Sequence, residues 1–222
     1  MSEKKVVLFG VGDFARVASV YLAQDSPHEV VAFTVHEAYR TMDRLLGKPV
    51  VPFEELTDLY PPCDHAMFVA MGFSKLNKPR TEVYHACKAL GYEMITYVNS
   101  RAAVWGEHEI GENCFVFEQN VIQPFVRIGN NVVLWSGNHI GHDSVIGDHC
   151  FLASHVVISG NTRIGANCFF GVNATVRDGV TIGAECVIGA GALVLKDLPP
   201  QSVVKGLPAE LSNVPSTRLK AV

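Results

Sequence analysis

The hexads Ile140-Gly141-His142-Asp143-Ser144-Val145 and Ile146-Gly147-Asp148-His149-Cys150-Phe151 follow one another without a gap. An aliphatic residue at every sixth position, often followed by glycine, continues from them in both directions over residues 104–199, which is 96 residues or 16 hexads. Phe170 is the one aromatic residue at this position. Helices and alternating strands do not repeat every six residues, whereas a coil of short strands and turns does. The pattern therefore predicts a β-solenoid over the second half of the chain.

Four of the six cysteines follow the same period. Cys114, Cys150, Cys168 and Cys186 are separated by 36, 18 and 18 residues, all multiples of three hexads. If one coil contains three hexads, these small side chains stack in one column and are core residues. The alternative of a metal site or disulfides is disfavoured, because stacking at a strand spacing of about 4.8 Å does not form a coordination shell.

The first hundred residues alternate between β and α patterns. Short apolar runs predict strands over 5–9, 28–35, 66–71 and 93–98, and amphipathic stretches predict helices over 13–23 and 77–90. This order favours a small Rossmann-like parallel sheet. We therefore expect two domains, an α/β unit over 1–100 and the coil with its carboxyl-terminal tail over 101–222.

Composition excludes several classes of protein. The 222 residues are 48% hydrophobic, and 18 basic side chains face 22 acidic ones, for a net charge of −4. Such a chain lacks the basic field that nucleic-acid or anionic-membrane binding requires. The longest apolar run near the start, Val6 to Phe9, is too short for a secretory signal or a membrane span. We expect a cytoplasmic protein.

The repeat of aliphatic residue, glycine, two variable residues and a small residue resembles the left-handed parallel β-helix of the hexapeptide acyltransferases, and the handedness is taken from that resemblance. An α/β unit followed by this coil is similar to the sialic-acid O-acetyltransferase and bacillosamine N-acetyltransferase family. The similarity runs from Val7-Leu8-Phe9-Gly10 to Gly206-Leu207-Pro208-Ala209. It implies acetyl-CoA as co-substrate, a nucleotide-linked amino sugar from surface polysaccharide or glycan synthesis as acceptor, and a homotrimer with the CoA site between subunits.

His142 and Asp143 are the candidate catalytic pair. A histidine gains no packing at a coil turn, and a neutral imidazole can take a proton from an attacking amine or hydroxyl. Asp143 could orient the ring and stabilise its charged form. The resemblance assigns Ile140-Gly141-His142-Asp143 to the general base and its helper, whereas the alternative is a surface histidine beside a solvated aspartate. His139 is expected to touch substrate.

A metal site is the alternative for these histidines, since some hexapeptide coils bind zinc through three of them. His139, His142 and His155 are separated by 3 and 13 residues, and no pair has the spacing of 18 that would stack them. We therefore expect no metal.

The resemblance also locates the acyl donor. The residues that match positions along the pantetheine arm are Phe151, Gly160, Val172 and Ala190, and the Gly160 N–H is a candidate oxyanion donor. Phe151 stands where some relatives have histidine, and Ala190 where some have glycine. Lys196 and Lys205, near the tail, are candidates for contact with the CoA phosphates.

Gly10-Val11-Gly12-Asp13-Phe14-Ala15 fits G-x-G-x-x-A between a strand and a helix, where N–H groups can bind phosphate. An NAD site would also require an acidic residue at the end of the second strand, which instead ends at His36. A nucleotide-sugar diphosphate fits better, and Gly72, Lys75 and Arg80 are expected to face the same ligand. The alternative is a charged loop that opens a helix.

These observations predict an acetyl-CoA-dependent sugar N-acetyltransferase. O-acetylation of a sugar hydroxyl is the nearest alternative among enzymes. A trimeric nucleotide-binding scaffold without catalysis is the alternative from another class.

Overall fold

The computed structural model describes residues 3–209, 213 and 215–218. The α/β unit contains β1 Lys5–Phe9, α1 Asp13–Asp25, β2 Glu29–Val35, β3 Arg44–Leu45, β4 Lys48–Pro52, α2 Leu56–Leu59, β5 His65–Val69, α3 Lys78–Ala89 and β6 Glu93–Met94. Short 3-10 turns cover Glu37–Tyr39, Phe53–Glu55 and Ser216–Arg218. Within the described part of the chain, no helix is long and apolar enough to cross a membrane.

The α/β unit is built on one sheet with the strand order β3-β4-β2-β1-β5-β6. All neighbouring strands are parallel except β3 and β4, which form an antiparallel hairpin that the sequence pattern did not predict. The central strand β1 is covered on both faces, so Val6, Val7 and Leu8 are fully buried.

The predicted strand over 93–98 is two strands. β6 pairs with β5 in the α/β sheet, whereas the next strand, β7 Tyr97–Val98, pairs with a strand of the coil. The chain changes sheet at Ile95 and Thr96. Ile95 N–H still donates to Met67 of β5, and the Thr96 hydroxyl already donates to Gly111 of the coil. The first strand of the coil therefore lies before residue 101.

The coil contains two-residue strands at six-residue spacing. After β7 they are β8 Ala103–Val104, β9 Glu109–Ile110, β10 Phe115–Val116, β11 Val121–Ile122, β12 Arg127–Ile128, β13 Val133–Leu134, β14 His139–Ile140, β15 Val145–Ile146, β16 Phe151–Leu152, β17 Val157–Ile158, β18 Arg163–Ile164, β19 Phe169–Phe170, β20 Thr175–Val176, β21 Thr181–Ile182, β22 Val187–Ile188, β23 Leu193–Val194 and β24 Val203–Val204.

These strands stack into three parallel sheets, which form the three faces of a left-handed β-helix, as predicted. The first face contains β7, β10, β13, β16, β19, β22 and β24; the second contains β8, β11, β14, β17, β20 and β23; the third contains β9, β12, β15, β18 and β21. From β7 to β23 each residue pairs with the residue 18 positions away, as Val121 does with His139, whereas Val187 of β22 pairs with Val203 of β24, 16 positions on. Ile122, Ile140 and Ile158 of the second face point into the core and are fully buried.

The cysteine column lies inside the coil, as predicted. Cys114, Cys150, Cys168 and Cys186 are fully buried free thiols in the same apolar cluster as the aliphatic residues of the hexads.

The α/β unit packs on the first face of the coil. Phe14 of α1 contacts Phe115, Phe117 and Trp135, with ring centroids 5.6 to 6.2 Å apart. Aromatic side chains on the first face thus form one buried cluster with the α/β sheet. Among the residues that the structure describes, no comparable unit packs on the second or third face.

Candidate active site

His142 and Asp143 lie at the corner between the second and third faces, in the turn from β14 to β15. The His142 Nδ1 and Asp143 Oδ2 atoms are 2.9 Å apart, and the two side chains are 55% and 51% exposed. An ionised carboxylate only accepts hydrogen bonds, so Nδ1 carries the proton and Nε2 is free to accept one. This is the arrangement that a general base requires.

Backbone contacts fix the turn that presents this pair. The His142 N–H donates to the side-chain oxygen of Gln123, and the Asn161 N–H donates to the carbonyl oxygen of His142. Asp143 has a left-handed backbone with φ of 59°, which aspartate tolerates better than most residues. The sequence analysis missed Gln123. Its position 18 residues before Gly141, one coil away, is the signal that could have found it.

Gly160 lies one coil beyond His142 and leaves room for its ring. A Cβ atom at Gly160 would lie 2.7 Å from Nε2 of His142 and 2.8 Å from its Cε1. A side chain at this position would therefore displace the His142 ring from where it lies here. Gly160 is buried beneath the ring, and among the described residues its N–H has no hydrogen-bond acceptor; its role as an oxyanion donor stays a prediction.

The other coil histidines lie elsewhere. His139 is half-buried on the outside of the second face, between Val121 and Val157, and His155 lies at the corner between the first and second faces. Within the described ranges, no three His, Cys, Asp or Glu side chains come together in a way that could hold a metal ion.

A second site lies in the α/β unit, at the carboxyl ends of β1, β2 and β5. It is an open cleft of about 730 Å³. The cleft brings together six of the predicted ligand-binding residues: Gly10, Gly12, Asp13, Phe14, Gly72 and Lys75. The carboxyl edge of a parallel sheet is the usual place for a ligand in this class of fold.

The glycines of this cleft have two different roles. A Cβ at Gly10 would lie 2.7 Å from the Ala70 carbonyl oxygen, and its φ of 124° also requires glycine. Gly12 caps α1 without a side-chain hydrogen bond, and a Cβ there would meet no atom within 4 Å. The first N–H groups of α1 therefore face open space in which an anionic group could bind.

The sequence analysis also missed His36, which lines the same cleft beside Tyr39. His36 Nδ1 lies 2.8 Å from Glu54 Oε1, and the Glu37 N–H donates to the other oxygen of Glu54. These contacts lower the pKa of Glu54, the His36 hydrogen bond most of all. No sequence signal pointed to the pair, because Glu54 follows β4, whose place in the sheet was not predicted.

Arg80 does not face the cleft, so that prediction is wrong. Its side chain is 1% exposed and reaches away from the cleft into the coil. The guanidinium donates to the carbonyl oxygens of Asn131, His149 and Cys150 and to the side chain of Asn131. Burial lowers the pKa of Arg80 to about 10, so the group stays charged at neutral pH. Arg80 thus fastens α3 to the coil.

The residues predicted to line the pantetheine arm fall into three places. Phe151 is 3% exposed and is covered by Phe73, which lies in the loop before α3, so its side chain does not line an open groove as predicted. Val172 and Ala190 are exposed at the corner between the first and second faces, whereas Gly160 is at the corner between the second and third. Lys196 and Lys205 are exposed near the end of the coil.

The cleft of the α/β unit and His142 are on different sides of the chain. The α/β unit covers the first face, and His142 lies at the corner that this face does not touch. One chain therefore holds the two halves of the candidate site apart, separated by the second face.

Comparisons with known proteins bear on the fold of the chain and on the class of enzyme that it resembles. Residues 126–160 match the bacterial transferase hexapeptide family, and residues 161–196 match the hexapeptide repeat of succinyl-transferase. Curated proteins give no match. The acetyltransferase domain of PglB from Neisseria gonorrhoeae is 25% identical, with a TM-score of 0.82 for its acetyl coenzyme A complex over 94% of this chain and 99% of that one.

Perosamine N-acetyltransferase from Caulobacter crescentus is 27% identical, with a TM-score of 0.80 over 95% of this chain and 97% of that one. Its structure is of a complex with CoA and GDP-perosamine, in a form in which one histidine is replaced by asparagine. The predicted resemblance to the hexapeptide-repeat sugar acetyltransferases is confirmed. WeeI from Acinetobacter baumannii, at 20% identity and a TM-score of 0.70, shares the fold. The predicted enzyme class and co-substrate agree with the PglB domain and with perosamine N-acetyltransferase, which are acetyltransferases solved with acetyl coenzyme A and with CoA, respectively.

Proposed function

We propose that this chain transfers the acetyl group of acetyl-CoA to the amino group of a nucleotide-linked sugar, in the synthesis of a surface polysaccharide or glycan precursor. The observation that carries the proposal is the His142–Asp143 pair, held at an exposed coil corner with Nε2 free. The cleft of the α/β unit and the neighbours that bind acetyl-CoA or GDP-perosamine support it.

In the proposed reaction, the sugar amine attacks the thioester carbonyl carbon. His142 Nε2 takes a proton from the nitrogen, and Asp143 stabilises the imidazolium that forms. The Gly160 N–H stabilises the negative charge on the thioester oxygen. The C–N bond forms as the C–S bond breaks, and the CoA thiolate leaves and receives the proton from His142. The acetyl group passes directly between the substrates, so no cysteine nucleophile is required.

The acceptor is proposed to bind by its diphosphate in the α/β cleft. The amino end of α1 at Gly12 supplies N–H donors, and Lys75 supplies a positive charge at the rim. The space at Gly12 and Gly72 allows the phosphates to approach the backbone, since a Cβ at either position would meet no atom within 4 Å.

A homotrimer is proposed to complete the site. The outer side of the second face presents Val121, Val157 and Leu193, which suit contact with another copy. If neighbouring copies pack through this face, the corner with Val172 and Ala190 of one chain meets the corner with His142 and Gly160 of the next. Val172 and Ala190 of one chain and Gly160 of the next, which a single chain keeps at different corners, would then line one groove.

The experiment is a screen for thiol release from acetyl-CoA with UDP-, GDP- and dTDP-linked amino sugars. Thiol release with at least one of them, and a product whose acetyl group survives mild hydroxylamine, is the expected result. An acetyl group removed by hydroxylamine would mean an ester and therefore O-acetylation. Binding of nucleotide sugars without any thiol release would favour the non-catalytic scaffold.

A further inference from the structure

The loop between β5 and α3 connects the nucleotide cleft to the coil. Gly72 and Lys75 line the cleft. Between them, Phe73 turns to the first face of the coil and packs its ring against Phe151 and Phe169, at centroid distances of 5.0 and 4.6 Å. Phe73 does not itself line the cleft, but in the sequence it directly follows Gly72 and lies two residues before Lys75, next to the residues proposed to hold the diphosphate.

The backbone of this loop is strained, and contacts with the coil hold it in that conformation. Lys75, Leu76 and Asn77 have φ values of 49°, 54° and 63°, so three successive non-glycine residues are left-handed. Such strain persists only where surrounding contacts over-determine it, and it occurs preferentially at functional sites. The contacts here come from the coil. The Asn77 side chain donates to the Cys168 carbonyl, and the Asn167 side chain donates to the Leu76 carbonyl.

The contacts with Phe151 and Phe169 bury only part of the Phe73 ring. It is 51% exposed, although Phe151 beneath it is 3% exposed. A ring that only sealed the contact between the unit and the coil would be buried like Phe151. Instead, one side of the Phe73 ring packs against the coil and the rest of the ring is exposed, one residue away from Gly72 of the cleft.

The geometry points to Phe73 as a sugar-binding residue, an inference that rests on the proposed function. A sugar linked to a diphosphate at Gly12 and Lys75 would extend out of the cleft past Gly72, and Phe73 is the exposed aromatic residue next to Gly72. Pyranose rings have an apolar face of C–H groups, and ligand sites combine such aromatic surfaces with a few polar contacts. Phe73 packs on that face and orients the sugar, while the nucleotide is bound by the cleft alone.

The test compares Phe73→Ser and Phe73→Trp with the wild type, using the amino sugar that the wild type acetylates and its bare nucleoside diphosphate as a competitive inhibitor. Phe73→Ser should raise KM for the nucleotide sugar about tenfold, as expected for loss of one aromatic contact. Ki for the bare diphosphate and KM for acetyl-CoA should stay within about twofold of wild type. Phe73→Trp should retain a near-normal KM.

Leu59→Ser is the matched control, because Leu59 is 50% exposed at the end of α2 and no residue of α2 lines the cleft, in contrast to the loop of Phe73. An unchanged KM in Phe73→Ser would overturn the inference. An equal rise of KM and Ki would also overturn it, since Phe73 would then act only by holding the loop. Failure of the proposed function is a different result, namely a wild-type enzyme that releases no thiol with any of the sugars.

Discussion

At the scale of single residues, the proposed chemistry depends on which nitrogen of His142 is free. Asp143 accepts from Nδ1, and Gly160 leaves space beside Nε2, so the imidazole presents its unprotonated nitrogen away from the carboxylate. A histidine in this tautomer can accept a proton at Nε2, and the Asp143 carboxylate then stabilises the positive charge of the imidazolium.

His142→Asn should lower kcat by about 10²- to 10⁴-fold, the range for loss of a general base, while KM for acetyl-CoA stays nearly unchanged. Asp143→Asn should have a smaller effect, because asparagine tolerates the left-handed backbone and its side-chain oxygen can still accept from Nδ1. Steady-state kinetics with both substrates measures the two effects. A fully active His142→Asn enzyme would place the base elsewhere, and His139 would be tested next.

His149 makes a second prediction, about stability rather than catalysis. It is buried at the corner between the third and first faces, where its Nδ1 accepts from the side chain of Asn131. Burial lowers the pKa of His149 to about 4 from its usual 6.5; Asp148 opposes this shift, and Arg80 and His85 add to it. Below pH 6.5 the unfolded chain binds a proton that the folded chain excludes. Stability is therefore complete above about pH 6.5 and falls as the pH approaches 4.

His149→Asn should remove this part of the acid sensitivity. Asparagine suits the φ of 63° at this position, and Asn131 and Asn167 occupy the same column one coil before and after it. The Tm of the wild type should fall more steeply than the Tm of His149→Asn between pH 6.5 and 4, in buffers of equal ionic strength. Carboxylates also titrate between pH 6.5 and 4, but they are the same in both proteins. Parallel curves of Tm against pH would therefore show that His149 does not contribute to the acid sensitivity.

At the scale of elements, the turn from β1 to α1 makes a prediction about substrate binding. Gly12→Trp should fold normally, because no atom lies within 4 Å of a Cβ there. The added ring should fill the space at the amino end of α1 and raise KM for the nucleotide sugar far more than KM for acetyl-CoA. The Tm is the control for folding. Equal damage to both KM values would indicate a general disturbance, and unchanged values would mean that the nucleotide binds elsewhere.

The elements also show what a sequence can and cannot predict. The six-residue period predicted the coil and its core because the strands of the coil repeat an inward-facing apolar residue at the same position of each hexad. Three hexads per coil, a spacing of 18 residues, correctly placed Cys150 next to Cys168. The G-x-G-x-x-A motif located the cleft for the same local reason. Arg80 and Phe151 were misplaced because their environment is set by how the α/β unit docks on the first face, and this contact between distant segments has no sequence period.

At the scale of the whole molecule, the three faces of the coil differ in what covers them. The first face is covered by the α/β unit, and the third presents charged residues such as Glu109, Arg127 and Arg163. The second face presents mainly apolar side chains, including Leu193 at 60% exposure, beside Trp105 at its edge. An apolar face on which no described segment of the chain packs is the expected contact with another copy, and three copies around one axis close the assembly.

This arrangement predicts that one chain supplies the nucleotide cleft and its neighbour supplies His142. Gly12→Trp and His142→Asn should each be nearly inactive alone at low acceptor concentration. A mixed trimer contains two copies of one variant and one copy of the other. In either case, one of its three sites combines an intact cleft from one chain with an intact histidine from the neighbouring chain. Doubly tagged mixed trimers should therefore recover about one third of wild-type activity. Mixed trimers without recovered activity would mean that each chain contains a complete site, and a monomeric mass by light scattering in a fully active sample would contradict the assembly itself.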